Sequence, residues 1–524
     1  MKPKLGKQQL SLLAIITVLL LGGTVFSVHW LAPEVEPQAK TLYDKNCAAC
    51  HGPEGRGDGQ AAFLLNPKPR NLRAGKYRLV TSQNLQPTRD DLFRTISNGM
   101  PGTGMPSWGH LPEADRLMLT DYVLKLNYDG YVDRALKLGD TPRDAEQFAK
   151  QMTTPNQPIA IPPEPPLTPA GLEEGRDLYV KSCANCHVQN GEGKRDPTWR
   201  TSEGYPTWSR NLREGVFKGG REPNGLYLRF HTGLPGTPMP SLEIPGEKVW
   251  RIVQYVLSLS DPSAQEKATI KPVELVAKRV SRLPTGPEDP IWDTLPETRV
   301  PLMPLWWIKG YIAEAFVKVA HDGQRVAFRL QWKDATRDVG GVQIKSFSDV
   351  AAVQFAAGAN PPLFAMGAAG DVVNIWHWKA LWDEDRKAFQ DVGQAFPNMV
   401  SYEYLGGQKG WGAPPLEGGS FLPARELANA VARPRTTSVE EATAAGFGTY
   451  TAQAPKDQNV VGASSWKDGV WRVAFVRDLK STSGDEIALI PGGSVSVAFA
   501  VWNGSANERN GQKTVSIWNT LKLE

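Results

Sequence analysis

"YDKNCAACH", residues 43–51, and "YVKSCANCH", residues 179–187, hold all four cysteines of this 524-residue chain. Each run ends in C-x-x-C-H. Cysteines three apart fall on one side of a helical turn, so both thiols can react with one flat partner while the histidine beside them reaches its centre. The two copies continue in step. "RNLRAG" (70–75) is answered by "RNLREG" (210–215), "GMPGTGMPS" (99–107) by "GLPGTPMPS" (233–241), and an apolar helix closes each, "LTDYVLKL" (119–126) and "RIVQYVLSL" (251–259). This is an internal repeat.

Haem attachment accounts for every residue of the motif. Zinc needs four ligands and each run supplies three. A redox dithiol does not require the histidine, and cysteines this close in a helix do not form a comfortable disulfide. With their downstream loops, residues 38 to 130 and 172 to 262 resemble class I cytochromes c. The resemblance implies two covalent haems c, on Cys47 and Cys50 and on Cys183 and Cys186, with His51 and His187 as iron ligands.

Aligning the copies selects the sixth ligands. Met105 stands opposite Met239, whereas Met100 stands opposite Leu234, so Met105 and Met239 are the expected ligands and Met100 packs over the porphyrin edge. A thioether in a rigid Pro/Gly loop suits this role and favours the reduced iron. Arg70, Arg73, Arg210 and Arg213 are candidates to pair with haem propionates, or are simply solvated. His110 and His231 are read as loop or surface residues rather than ligands, and His29 falls in the N-terminal apolar stretch.

The chain starts with Lys2, Lys4 and Lys7, and no charged residue follows from Leu10 to about Ala32. Since about 20 apolar residues cross a bilayer as a helix, this stretch predicts an uncleaved anchor, with a cleaved signal as the alternative. Lysines before the span place the haem domains on the periplasmic side of the cytoplasmic membrane. A net charge of +4, from 59 basic and 55 acidic residues, gives no reason to expect nucleic acid as a partner. Domain boundaries are expected as follows: an anchor over 1–36, cytochrome domains over 37–130 and 172–262, a helical and proline-rich linker over 131–171, and a second linker over 263–290. A last domain covers 291–524.

In that last domain the pattern changes to period two. "RVAFRLQW" (325–332) sets Val326, Phe328, Leu330 and Trp332 on one face, and "GVWRVAFV" and "SVSVAFAVW" read alike. Alternation with Gly-rich turns predicts an antiparallel β-sandwich, interrupted over 383–465 by a long Gly/Ala/Pro insertion of unread role. The expected fold is therefore multidomain: a transmembrane helix, two all-α cytochrome c domains and an all-β sandwich.

"FSDVAAVQFA", "PPLFAMGAAGDVVNIWHWKALW" and "VAFAVWNGSANERNGQKTVSIW" follow in order in this domain. Together they resemble the haem b domain of the ethylbenzene dehydrogenase gamma-subunit family, the electron-transfer subunits of periplasmic molybdenum enzymes related to dimethyl sulfoxide reductase. The resemblance implies one haem b held by a methionine and a lysine. Met366 matches the methionine; Lys513 is the first choice for the lysine, Lys480 the second, and His377 is the chemically commoner ligand nearby. A lysine ligand has to be neutral, through burial or the metal itself.

These observations predict a membrane-anchored electron relay without catalysis of its own, between molybdenum/iron-sulfur catalytic subunits, nitrate/nitrite-type favoured, and the respiratory chain through a soluble cytochrome or terminal oxidase. The alternative is a dihaem cytochrome c fused to a haem-free β-sandwich that binds a ligand or protein. No G-x-G-x-x-G fingerprint opens a strand-to-helix turn, so a nucleotide-dependent enzyme is not indicated.

Overall fold

Tyr43 and Tyr179, which are equivalent in the repeat, sit at equivalent helix crossings. In a computed structural model, which describes residues 35 to 524 apart from 359, 389–395, 397, 399–434, 481, 482 and 485, helix Pro37–Asn46 lies against helix Glu113–Leu138, with the Tyr43 and Tyr122 rings 4.9 Å apart. Helix Pro169–Ser182 likewise meets Gly246–Ser258, with Tyr179 5.3 Å from Tyr255. The second crossing is tight because of Gly175: a Cβ there would lie 2.1 Å from the Arg251 carbonyl oxygen. Only glycine permits that approach.

Local signals place the helix starts. The Thr168 side chain accepts a hydrogen bond from the Gly171 amide, with Pro169 in the first turn, and Thr88 and Asp91 form a reciprocal capping box on Arg89–Asn98. Tyr179, Val249, Trp250, Ile252 and Val253 are buried in the core of the second cytochrome copy. That copy is not wholly helical, since strands Arg195–Arg200 and Pro206–Trp208 pair as a short hairpin after its C-x-x-C-H run.

The expected membrane anchor is corrected. Among the described residues no helix is long and apolar enough to cross a membrane, and the stretch that suggested it, Leu10 to Ala32, lies outside them. The longest helix, Glu113–Leu138, has the length but carries Asp121, Lys125, Asp129 and Asp133 along it. The single-pass topology, and with it the periplasmic placement of the haem domains, is without support in this fold. What remains is a helical, cytochrome c-like region followed by a β-sheet domain.

By internal packing the chain forms two units. The first takes in residues up to Ala62 with Lys68–Gly99 and Leu111–Pro262, and so contains most of both cytochrome copies; the second is Phe63–Pro67, Met100–His110 and Ser263–Glu524.

The second unit is built on one continuous hydrogen-bonded sheet. From one end, strands Thr451–Ala452, Val439–Ala444, Val373–Lys379, Val350–Ala356, Ser494–Trp502 and Asn519–Leu523 lead to Glu274–Arg279. Beyond it lie Glu314–His321, Arg325–Lys333, Val470–Asp478 and Val461–Lys467. All neighbours are antiparallel except on either side of Glu274–Arg279, which pairs in parallel with both. The stretch read as the 263–290 linker thus supplies a central strand. The sheet curls so that distant strands share one core, as in a sandwich: Phe328 meets Phe355 at 5.7 Å and Trp376 at 5.5 Å, within a cluster that also buries Trp332, Trp378 and Trp471.

Candidate haem sites

In each C-x-x-C-H run the first cysteine stands at the N-cap of a one-turn helix, Ala48–His51 or Ala184–His187, that carries the second cysteine and the histidine. The two histidines are held identically. His51 Nδ1 lies 2.9 Å from the Arg70 carbonyl oxygen and His187 Nδ1 3.0 Å from that of Arg210. Donation from Nδ1–H to a carbonyl fixes the tautomer and leaves Nε2 as a free lone pair, as a metal-binding imidazole requires. Burial lowers the pKa of both rings, which keeps them neutral. The backbone closes around them alike: the Gly57 amide donates to the His51 carbonyl and Gly193 to His187, at 2.8 and 2.9 Å.

The four cysteines are free thiols. Burial pushes Cys47 up to about 12 and Cys50 and Cys183 to about 11. The four thiols flank the same helical turn as the histidine of their run, a donor set that fits a covalently attached haem.

The methionine loops also match. Met100 N donates to the Met105 carbonyl at 3.0 Å and Leu234 N to that of Met239 at 3.1 Å, while Thr103 and Thr237 Oγ1 accept from the Met105 and Met239 amides. Residues 234–239 and 100–105 thus form the same closed loop, held by one threonine. Met239 packs against the cluster that also receives Cys183, so the second copy brings this thiol and this thioether to a common core. His51 and Met105 belong to different units. His110 lies tilted against Trp108, and His231 stacks on Tyr227. Arg73 is paired with Asp133 at 2.6 Å, Arg213 with Glu192 at 3.4 Å and Arg70 with Glu203 at 3.0 Å, and Arg210 Nη1 donates to the Val216 carbonyl at 3.3 Å. The sequence reading passed over Arg78 and Lys218, although the repeat aligns them with each other.

In the sheet domain, side chains alternate between two faces. Ala351, Val353 and Phe355 with Val497, Phe499 and Val501 point into the main core. The opposite face carries Ala352, Gln354, His377, Ala498, Ala500 and Trp502, which lie side by side across the paired strands. Small residues make it a flat apolar platform. The Gln354 side-chain amide donates to the Phe364 carbonyl at 2.8 Å, which draws the turn bearing Met366 over this face. Met366 has φ 65°, and its carbonyl accepts from the Gly446 amide at 2.7 Å. A left-handed conformation costs a non-glycine residue roughly 1–2 kcal/mol, so its retention at a methionine points to a positional demand.

Lys513 stands at the same face. Its Nζ is 4.5 Å from the centre of the Trp502 ring, and its carbonyl accepts from Leu305 N at 2.9 Å. Burial pushes its pKa down to about 8, toward the neutral amine that a metal needs. His377 neighbours it, with Nδ1 3.1 Å from the Tyr450 hydroxyl and its ring 5.7 Å from Trp502; burial and then the charges of Lys379, Lys513 and Arg435 hold its pKa well below the usual value. Lys480 is solvent-exposed at the end of a strand. Sequence reasoning missed Trp502, Gln354 and Tyr450 around this platform; the Ala-x-Ala spacing of "VAFAVW" was the available signal.

Comparison with known proteins follows this division. Residues 38–127 and 172–260 match the cytochrome c family, and residues 289–514 match the ethylbenzene dehydrogenase family. A Haloferax mediterranei protein named "Putative respiratory nitrate reductase heme subunit ORF7" is 28% identical over 244 residues, 45% of this chain and 67% of its own length. Dimethylsulfide dehydrogenase subunit gamma of Rhodovulum sulfidophilum is 27% identical over 253 residues, 45% and 74% of the two chains. Among solved structures, a chain of the Kuenenia stuttgartiensis reducing HAO-like protein complex is 32% identical and is covered over 99% of its length, against 44% of this chain, at a TM-score of 0.37. The chain is a fusion of cytochrome c domains with an ethylbenzene dehydrogenase-type domain. More particularly, it is related to the haem subunits of dimethyl sulfoxide reductase-family oxidoreductases, and is an electron-transfer subunit rather than the catalytic enzyme.

Proposed function

We propose that the chain is a dihaem cytochrome c whose C-terminal β-sheet domain docks on a molybdenum/iron-sulfur oxidoreductase and passes its electrons through two haems c. The twin histidine geometry, with Nδ1 of each ring on a backbone carbonyl, is the observation that supports it. The anchored relay expected from the sequence is not kept, since among the described residues no helix is long and apolar enough to cross a membrane; the fusion to a partner-binding β-domain is. The bound haems would supply one-electron transfer. The residues of the chain would hold them: Cys47, Cys50, Cys183 and Cys186 by thioethers, with His51 and His187 supplying the imidazole ligands and Met105 and Met239 the sulfur ligands. A histidine and methionine ligand set would suit electron transfer, since it would leave the iron no position for a substrate. Co-purification with a molybdenum-containing subunit tests the partnership; a chain that elutes alone at all salt concentrations contradicts it.

A second reading gives the C-terminal domain a haem b of its own, between Met366 and Lys513. The half-buried lysine beside an apolar platform, together with the left-handed backbone at Met366, supports it. Extractable haem b in the purified protein tests it, and a chain holding covalent haem alone leaves the β-domain as a docking module.

A further inference from the structure

Most of both cytochrome copies lies in one compact unit, and the proline-rich segment between them is fastened at both ends. At its start it pairs with the first copy: Ile159 N donates to the Thr81 carbonyl at 2.8 Å and Gln83 N to that of Gln157 at 3.0 Å. From Ile161, which packs against the core of the second copy, it belongs to that copy. The Trp250 indole donates to the Pro162 carbonyl at 2.8 Å, the Gln254 side-chain amide to that of Pro165 at 2.8 Å and Arg251 Nη1 to that of Pro166 at 3.0 Å.

A second connection joins the copies away from this segment. Arg70 of the first copy crosses to the second, where its Nη1 meets Glu203 Oε1 at 3.0 Å and its Nη2 donates to the Pro235 carbonyl at 2.9 Å. The two charged side chains are 13% and 20% exposed, so salt screens this pair less than one on the open surface. Its acceptors come from two loops of the second copy that hold each other, since Ser202 N donates to the Gly236 carbonyl at 3.1 Å. Gly236 permits the approach: a Cβ there would stand 2.9 Å from Arg70 Nη2 and 3.0 Å from Ser202 Oγ.

The repeat shows that this connection is an addition. Arg210, the equivalent of Arg70, sends Nη1 to the Val216 carbonyl of its own copy. From the histidine of the C-x-x-C-H run to this arginine the chain takes 23 residues in the second copy and 19 in the first. In the second copy that stretch forms the hairpin of Arg195–Arg200 and Pro206–Trp208, and its tip carries Ser202 and Glu203. The extra length thus ends on a residue of the other copy. Both joined elements serve a ligand set, for the Arg70 carbonyl orients His51 and Pro235 and Gly236 belong to the loop closed by Leu234 and Met239.

We propose that the hairpin tip is a latch: Glu203 and the Pro235 carbonyl hold Arg70, and with the fastened proline segment they keep the His51 loop of one copy and the Met239 loop of the other at a fixed separation, so that an electron crosses between the copies without domain motion. The inference rests on the dihaem reading above. Donor and acceptor placed in advance spare the step the search that a flexible tether would impose.

Hydrogen exchange on the full chain tests the latch. Arg70→Gln, made in the first copy, speeds backbone exchange over 199–206 and 233–241 in the second by about tenfold or more, as loss of a charge-assisted hydrogen bond implies. Glu203→Ala does the same over 233–241 from the other side of the contact, and serves as the second trial in case Arg70→Gln fails to fold. Arg89→Gln, which breaks only the exposed pair with Asp121 inside the first copy, changes neither segment. Unchanged exchange in both latch variants overturns the latch. The electron step is read separately, once a haemochrome spectrum has fixed the haem count. Fewer than two covalent haems in the wild type defeats the dihaem reading and the electron step with it, while exchange still decides the latch. With two present, redistribution of an electron between the copies after a radical pulse keeps its rate in the wild type as glycerol raises the viscosity, and in Arg70→Gln it slows with viscosity. A wild-type rate that falls in step with viscosity overturns transfer without motion.

Discussion

His187 Nδ1 and the Arg210 carbonyl oxygen stand 3.0 Å apart, and the pair repeats at His51 and Arg70. In each copy the arginine backbone thus sets the imidazole tautomer from the loop that follows the C-x-x-C-H run.

Met239→Ala removes the thioether while leaving the Cys183 and Cys186 attachment points intact. The haem of the second copy stays covalently bound, its potential falls, and its iron takes up an external ligand such as carbon monoxide. Leu234→Met, which restores the residue found at Met100 in the other loop, leaves both properties unchanged. Optical spectra with and without carbon monoxide distinguish the two variants.

Met366→Gly separates backbone strain from ligation. Glycine relieves the left-handed cost, so the haem-free C-terminal unit gains about 1 kcal/mol in denaturant unfolding. Under the haem b reading the same variant loses its extractable haem. A destabilised unit would show that the methionine side chain, rather than the backbone, governs this turn.

Arg477 and Glu441 form an ion pair at 3.3 Å with both side chains fully buried, and Glu441 Oε1 also accepts from the Asn374 amide and the Trp376 indole. Truncating one partner strands the other charge in the core. Arg477→Met therefore costs about 3–5 kcal/mol, and the double variant with Glu441→Leu recovers a large part of it. Chemical denaturation of the three proteins measures the difference.

Glu508 makes the C-terminal unit sensitive to pH. Burial, and more weakly the negative charges of Asp334 and Asp349, push its pKa up to about 7, although its backbone contact to Asn503 acts the other way. Its Oε1 is buried and without a partner. A carboxyl raised above its unfolded value favours the fold fully at low pH and loses that contribution as pH rises through about 7. Glu508→Gln should leave stability at pH 4 nearly unchanged and raise it relative to wild type at pH 8. Melting curves at the two values check the sign.

The paired histidine sites were legible because the repeat supplies its own alignment: Leu234 against Met100 separates ligand from neighbour without any structure. The alternation of "RVAFRLQW" likewise disclosed its buried face. The parallel placement of Glu274–Arg279 was not, because its six residues carry too little pattern to name two neighbours that lie far apart in the chain. The membrane helix was read from hydropathy alone, over a stretch that lies outside the described residues. Arg78 and Lys218 escaped although their equivalence is written in the repeat, because the half-burial of a cation is not legible in the sequence. Lys513 resembled any solvated lysine until the platform of alanines beside Trp502 enclosed it.

The most direct measurement is a pyridine haemochrome spectrum of the purified full chain before and after acid-acetone extraction. The account predicts two haems c per chain that stay with the protein after extraction, and a single haem or none in that fraction would contradict it.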